Sequence, residues 1–224
     1  MTLSIQKELV RVKSGSVYME GMLELPANPI GMVLFAHGSG SSRLSPRNNY
    51  VAAELRKAQI GTLLLDLLTP EEDQHYRTRF DISLLTQRLT EASDWLRQYA
   101  ATRSMALGLF GASTGAAAAL QLAAACGTAG TAIAAVVSRG GRPDLAGRHT
   151  LNNVRAPTLL IVGGSDDVVI ELNQAAYAEL HCEKQFTIVP GATHLFEEAG
   201  TLEQVAALAS AWFVRHFPQS DSGR

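Results

Sequence analysis

The sequence predicts an α/β fold in which helices cover both faces of a mostly parallel sheet. Continuous apolar runs of strand length, such as Gly31–Ala36 and Ile60–Leu65, alternate with segments whose apolar residues recur at helical spacing. An uninterrupted apolar run is typical of a strand that is buried on both faces, as in a parallel sheet. Near the N-terminus, two alternating segments joined by Ser14 and Gly15 predict an antiparallel hairpin at one edge.

Composition limits the class of protein. The chain has 224 residues, of which 46% are hydrophobic and 18% charged, so it can bury a sizeable core. We expect one domain over residues 1–217 and a C-terminal tail over residues 218–224. The net charge is −2 without a basic block, which favours neither a nucleic acid nor a membrane as partner. The N-terminus lacks the apolar segment of a signal peptide, and two cysteines are too few for a disulfide framework, so we expect a cytoplasmic protein.

The first half of the chain contains clear helix-start signals between its strands. Residues 9–25 form the predicted hairpin. Ser45 followed by Pro46 is typical of a helix start, with serine as the N-cap and proline at the first helical position. After a polar excursion over residues 66–79, Asp81 is expected to cap a longer helix.

The second half repeats the alternation of strands and helices. Thr201, with Gln204 three residues later, predicts a capping box at the start of the last helix. That helix is expected to end before Pro218. The remaining segments are predicted as follows: strands at 133–137, 158–162 and 185–189, a Gly- and Arg-rich loop at 138–157, and a helix at 170–180.

A serine lies where one predicted strand turns directly into a helix. The apolar run 105–110 stops at Gly-Ala-Ser-Thr-Gly, residues 111–115, and an alanine-rich helical segment follows. This arrangement predicts a nucleophile elbow, in which Ser113 occupies a tight, strained turn and the flanking glycines let the two backbones approach closely. The Thr114 amide would then lie at the positive end of the following helix, where it can donate to an anion.

Two alternative interpretations of this segment need no nucleophile. One is a glycine-rich turn without chemistry. The other is a phosphate or dinucleotide loop, because Gly108, Gly111 and Gly115 are close together. Their spacing is not G-x-G-x-x-G, no lysine follows the last glycine, and the segment lies in mid-chain, so this second alternative is disfavoured.

Ionisable residues follow other predicted strands. In such a sheet, functional residues lie in the loops beyond the carboxyl ends of the strands. His194 follows the last strand there and is the natural general base for Ser113, because an imidazole titrates near working pH. His37 follows an earlier strand and is expected to support its own loop.

A carboxylate should complete the set. Asp166 follows the strand at 158–162, although adjacent aspartates also occur in ordinary turns. Asp66 and Asp144 are alternatives. The chain order Ser113, Asp166, His194 is that of the α/β-hydrolase triad, which favours Asp166.

Four motifs together resemble α/β-hydrolases of the dienelactone hydrolase-like group over about residues 17–217. They are Phe-Ala-His-Gly-Ser-Gly at 35–40, Gly-Ala-Ser-Thr-Gly at 111–115, Gly-Gly-Ser-Asp at 163–166 and Gly-Ala-Thr-His at 191–194. The resemblance implies the α/β-hydrolase fold, with Ser113 as nucleophile, His194 as base and Asp166 as the acid that orients it. It also implies an oxyanion hole from the backbone amides of Ser39 and Thr114.

The resemblance has one departure. Dienelactone hydrolase proper uses a cysteine nucleophile, so serine at this position favours a general esterase-like activity. We therefore expect hydrolysis of small carboxylic esters or lactones through an acyl-enzyme, without a metal or an organic cofactor. A thioesterase or peptidase could use the same triad, and a non-catalytic binding module could retain the fold.

The substrate pocket is less determined by the sequence. The chain has no room for a large cap domain, so we expect a shallow pocket walled by loops 39–45, 67–80 and 138–156. Arg139 or Arg142 is hypothesised to bind a substrate carboxylate. The competing interpretation is a solvated turn, because arginines are mostly exposed. The sequence leaves the oligomeric state open.

Overall fold

The computed structural model describes residues 5–129 and 132–218, and the end of the predicted tail, residues 219–224, lies outside them. Eight strands form one sheet in the order β1-β2-β4-β3-β5-β6-β7-β8. The pairs β1/β2 and β2/β4 are antiparallel and all later pairs are parallel, as the sequence predicts. The strands are β1 Ile5–Ser14, β2 Val17–Pro26, β3 Gly31–Ala36, β4 Ile60–Leu65, β5 Leu107–Ala112, β6 Ala135–Arg139, β7 Thr158–Gly163 and β8 Lys184–Val189.

Helices cover both faces of the sheet. Helices α4 to α7 pack on one face, and α1 and α8 pack together on the other. The helices are α1 Pro46–Lys57, α2 Pro70–Asp73, α3 Tyr76–Arg79, α4 Ile82–Gln98, α5 Thr114–Ala129, α6 Arg148–Asn153, α7 Asp167–Glu179 and α8 Thr201–His216. Among the residues that the structure describes, none of these helices has the length and apolarity needed to cross a membrane.

The continuous apolar runs are buried on both faces of the sheet. Every residue of β3, β4, β5 and β7 is buried. Successive side chains point to opposite faces, so Leu34 packs in the core under α4 and α5, whereas Val33 and Phe35 pack in the core under α1 and α8. The apolar runs therefore predict the central strands correctly, because both of their faces exclude water.

Two of the predicted helix starts are confirmed by their caps. The Ser45 hydroxyl accepts a hydrogen bond from the Asn48 amide at 3.3 Å, and Pro46 is the first helical residue of α1. The Asp81 carboxylate accepts from the Leu84 amide at 3.0 Å and begins α4.

The predicted capping box at Thr201 is wrong. Gly200, with φ of 79°, is the N-cap of α8, and Thr201 is already helical. The Thr201 hydroxyl donates to the Glu198 carbonyl at 2.6 Å, and the Gln204 amide donates to the Gly200 carbonyl at 3.3 Å instead of to Thr201. A capping box does occur in the polar excursion, where Thr69 and Glu72 cap each other at the start of α2.

Strand β6 ends two residues later than predicted. Loss of apolarity after Val137 suggested the end of the strand, but Ser138 and Arg139 continue it because β5 and β7 pair with them on both sides. Arg139 lies opposite Ala112 of β5 and is buried inside the sheet, not exposed in a loop. The segment after Arg139 is predicted to be a loop, but it contains a 3-10 turn at Pro143–Ala146 and helix α6.

Replacement of Phe213 by alanine should strongly destabilise the fold. The ring is fully buried, and it fills the space left by Gly108, where an added Cβ would lie 2.6 Å from Phe213 Cε1. We expect Phe213→Ala to lower the free energy of unfolding by about 3–5 kcal/mol, measured by urea denaturation. The exposed substitution Ala207→Ser on the same helix is the control and should change it by no more than about 0.5 kcal/mol. Equal losses in both variants would contradict the packing described here.

Candidate active site

The turn between β5 and α5 holds Ser113 in a left-handed backbone conformation, with φ of 50°. Such a φ is uncommon outside glycine and marks local strain. The turn also brings backbones together closely. A Cβ added at Gly111 would lie 2.4 Å from Ala116 Cα, and one added at Gly115 would lie 2.1 Å from the Ala36 carbonyl oxygen. Both positions therefore require glycine, which supports the elbow geometry that the sequence predicts.

Asp166 and His194 are joined by a direct hydrogen bond. The distance between His194 Nδ1 and the nearer Asp166 carboxylate oxygen is 2.7 Å. Asp166 occupies the N-cap position of α7, but its side chain makes no capping hydrogen bond. The carboxylate instead accepts from the His194 imidazole. Because a carboxylate can only accept, Nδ1 carries the proton and Nε2 is the nitrogen that remains to accept one.

The loop that carries His194 is held at both ends by backbone hydrogen bonds. The Ser165 amide donates to the Ala192 carbonyl at 2.9 Å, which ties the ends of β7 and β8 together. The Thr193 amide donates to the Glu198 carboxylate at 3.0 Å. The Thr193 side chain first, and then this amide, hold the pKa of Glu198 below its usual value. The imidazole is therefore placed by fixed backbone on either side of it.

Ser113 and His194 line the same cavity, of about 240 Å³, at the carboxyl edge of the sheet. Both residues are within the described part of the chain, and no hydrogen bond joins their side chains there. The other walls are the loop after β3, the first turn of α1 and the end of β6. The stretch 67–80, expected as a wall, instead contributes to a neighbouring cavity beside His37.

The two alternative acids are engaged elsewhere. Asp66 forms an ion pair with Arg43, which also contacts Glu20 at 2.9 Å. Asp144 accepts two hydrogen bonds from the guanidinium of Arg142, at 2.8 and 2.9 Å. Of the three aspartates that the sequence offers as partner for His194, Asp166 is the one that contacts it.

The expected oxyanion donors are coupled to each other. The Ser39 amide donates to the Thr114 hydroxyl at 3.0 Å and so has an acceptor in this structure. Thr114 is the first residue of α5, where backbone amides have no partner within the helix. The bond links the loop after β3 to the elbow.

The two candidate arginines have different surroundings. Arg139 is buried and lines the cavity, whereas Arg142 does not line it and is paired with Asp144. The Asp144 hydrogen bonds hold the pKa of Arg142 above its usual value. Sequence reasoning missed Arg47 and Asn48, which also line the cavity. Their signal was available, because the predicted helix after Ser45 begins just beyond the carboxyl end of β3.

His37 supports its loop, as expected. Its Nε2 accepts the Leu67 amide at 3.0 Å, and its Nδ1 lies 2.9 Å from the Gly38 carbonyl oxygen. These bonds suit a neutral ring with the proton on Nδ1. Burial lowers the pKa of His37, although the Gly38 bond and the charges of Asp66 and Asp73 oppose the shift.

With this geometry described, the chain can be compared with known proteins. A family model for an alpha/beta hydrolase domain matches residues 29–211. A dienelactone hydrolase from Anabaena variabilis has a similar crystal structure, with a TM-score of 0.90 and 51% sequence identity over 96% of this chain and 99% of that one. The chain belongs to the α/β-hydrolase family. Within that family it is of the dienelactone hydrolase-like type.

More distant solved structures share the fold. Est1E from Butyrivibrio proteoclasticus has a TM-score of 0.78 at 14% identity, covering 93% of this chain and 98% of its own. A Xanthomonas campestris α/β serine hydrolase, described as lacking a lid, has a TM-score of 0.77 at 19% identity, with coverage of 96% and 97%. At these identities the likeness concerns the fold alone.

A longer relative carries a different name. A Mycobacterium tuberculosis protein is 56% identical over 212 residues, which are 95% of this chain and 47% of that protein. It bears the provisional name phosphoribosyl transferase. The chain thus spans about half the length of the curated relatives that it matches.

The buried neutral ring of His37 should make stability fall with acid. Below its ordinary pKa of 6.5 the unfolded chain binds a proton that the folded protein does not, so the free energy of unfolding falls as pH drops. This group alone can contribute up to about 1.4 kcal/mol per pH unit. We expect the loss between about pH 7.5 and about pH 5.5, measured by urea denaturation, to be larger in the wild type than in His37→Gln. Equal losses would show that His37 is already protonated when folded.

Proposed function

We propose that this protein is a serine hydrolase that cleaves small carboxylic esters or lactones through an acyl-enzyme on Ser113. The observation that carries the proposal is the 2.7 Å hydrogen bond between Asp166 and His194, whose ring lines one cavity with Ser113. A general base must be oriented before it can take a proton from a hydroxyl, and the carboxylate provides that orientation.

The reaction follows from the donors and acceptors present. His194 Nε2 accepts the Ser113 proton as the serine oxygen attacks the acyl carbon, and Asp166 stabilises the imidazolium that forms. The imidazolium then gives its proton to the departing alcohol. Water attacks the acyl-enzyme by the same route and releases the acid. A side-chain movement must first bring Nε2 and the serine oxygen within hydrogen-bond distance, because catalytic hydrogen bonds often form fully only once substrate is bound.

Backbone amides would bind the negative oxygen that forms during attack. The Thr114 amide lies at the positive end of α5, directly after the nucleophile. The Ser39 amide becomes a second donor when the Thr114 side chain rotates and gives up its 3.0 Å contact. Loss of one such donor typically costs on the order of 3 kcal/mol of barrier.

The name of one close relative favours esters or lactones over other acyl compounds. The Anabaena variabilis neighbour, which is 51% identical, is named a dienelactone hydrolase. The name phosphoribosyl transferase belongs to a protein of which this chain matches 47%, so the remaining half can account for that name. A thioesterase, a peptidase and a non-catalytic module with this fold are the competing functions.

Labelling with a fluorophosphonate probe should separate an enzyme from a binding module. We expect the wild type to be labelled at Ser113, with mass spectrometry locating the adduct, and Ser113→Ala to remain unlabelled. Hydrolysis of short aryl esters should fall on the order of 10⁴-fold or more in Ser113→Ala and His194→Ala, and by a similar order in Asp166→Asn.

A matched control replaces a carboxylate that lies outside the triad. Asp144→Asn removes the negative charge that faces Arg142 and should retain hydrolysis within a few-fold. Full activity in Asp166→Asn, or labelling of a residue other than Ser113, would overturn the proposed mechanism. A panel of aryl esters, thioesters, lactones and peptides, compared by kcat/KM, then identifies the acyl class.

A further inference from the structure

The cavity beside Ser113 contains a buried cation that has no acidic partner among the described residues. Arg139 is 4% exposed. One of its terminal nitrogens donates to the Asn48 side-chain oxygen at 3.1 Å, and its guanidinium lies 5.8 Å from the centre of the Phe196 ring. Its Nε has no acceptor. Because an unpaired buried charge is costly, the site suits an anion that enters the cavity.

A second arginine lines the same cavity. The Nε of Arg47 is also buried without an acceptor. Its outer nitrogen contacts Glu197 at 3.0 Å, but that carboxylate side chain is 62% exposed and points to solvent. Burial first, and then the charge of Arg47, lower the pKa of Arg139 to about 10, so the Arg139 guanidinium is still cationic at neutral pH.

Helix α1 adds to the positive potential. It has 12 residues, and no acidic residue lies in its first turn. Ser45, its N-cap, and Asn48, in its first turn, both line the cavity. The N-terminal end of a helix favours anions. The Asn48 oxygen already accepts from Arg139, so its amide nitrogen is the group that it can offer to a ligand.

We propose that this cavity is an anion subsite that binds a phosphate or carboxylate group on the ester substrate. Arg139, Arg47 and the N-terminus of α1 bind the anion, and Ser113 attacks the acyl carbon beside it. The assignment rests on the proposed hydrolase function, because the anion belongs to the molecule that Ser113 cleaves. Arg142 has no part in this subsite, since its guanidinium is paired with Asp144.

Matched esters test the subsite. Three aryl esters with acyl chains of equal length, ending in a methyl, a carboxylate or a phosphate group, are compared by kcat/KM. We expect the wild type to favour an anionic ester over the neutral one by about tenfold or more, the size of effect given by one charge-assisted hydrogen bond. The faster of the two anionic esters identifies the group.

Variants of single arginines show which side chains cause the preference for anionic esters. Arg139→Gln and Arg47→Gln should each reduce the ratio of anionic to neutral kcat/KM by about tenfold. Arg148→Gln is the control, because Arg148 is exposed and pairs with Glu179, so its ratio should equal that of the wild type. Arg47 is partly exposed and its variant should fold even where the Arg139 variant does not, which circular dichroism checks. Equal rates on all three esters, or a preference that survives in both variants, would overturn the subsite.

A binding measurement separates this inference from the hydrolase proposal. Calorimetric titration of Ser113→Ala with inorganic phosphate and with acetate requires no turnover. Binding of either anion that is lost in the double variant Ser113→Ala, Arg139→Gln supports the subsite, even if no ester is cleaved. Hydrolysis of the neutral ester without anion binding or anion preference would remove the subsite and leave the hydrolase proposal standing.

Discussion

The parallel alignment of β3 to β8 is the constraint on which the site depends. Parallel strands place all their carboxyl ends at one edge, so residues far apart in the chain meet there without long loops. Ser113 follows β5, Arg139 ends β6, Asp166 follows β7 and His194 follows β8. Burial of the apolar strands stabilises this parallel sheet. The short loops that follow the strands are therefore held in fixed positions.

The rigid sheet also supports local strain. Ser113 has a left-handed backbone, and its turn is compressed against β3 through Gly115. Such conformations persist where the surroundings over-determine them, and here β3, β6 and α5 all contact the turn. The Arg142 amide donates to the Ser113 carbonyl at 3.0 Å, and the Ser113 amide donates to the Arg139 carbonyl at 3.3 Å. The stability of the core thus holds the serine in a geometry that an isolated loop would not keep.

Much of this arrangement could be predicted from the sequence, because it follows from local patterns. Apolar runs located the central strands, and small residues around Ser113 indicated the elbow. The environment of Arg139 could not be predicted, since a polar residue within a buried strand contradicts the apolar pattern that defines strands. The error at Thr201 has a similar origin. The same side chain can cap a helix or donate backwards to Glu198, and tertiary geometry decides between them.

The backbone at Ser113 also restricts which residues could replace this proposed nucleophile. At φ of 50°, a β-branched side chain would crowd its own backbone, so threonine cannot take this place although it has the same hydroxyl group. Cysteine is unbranched and would fit as serine does. This turn can therefore exchange the oxygen of serine for the sulfur of cysteine. It cannot exchange the primary alcohol of serine for the secondary alcohol of threonine.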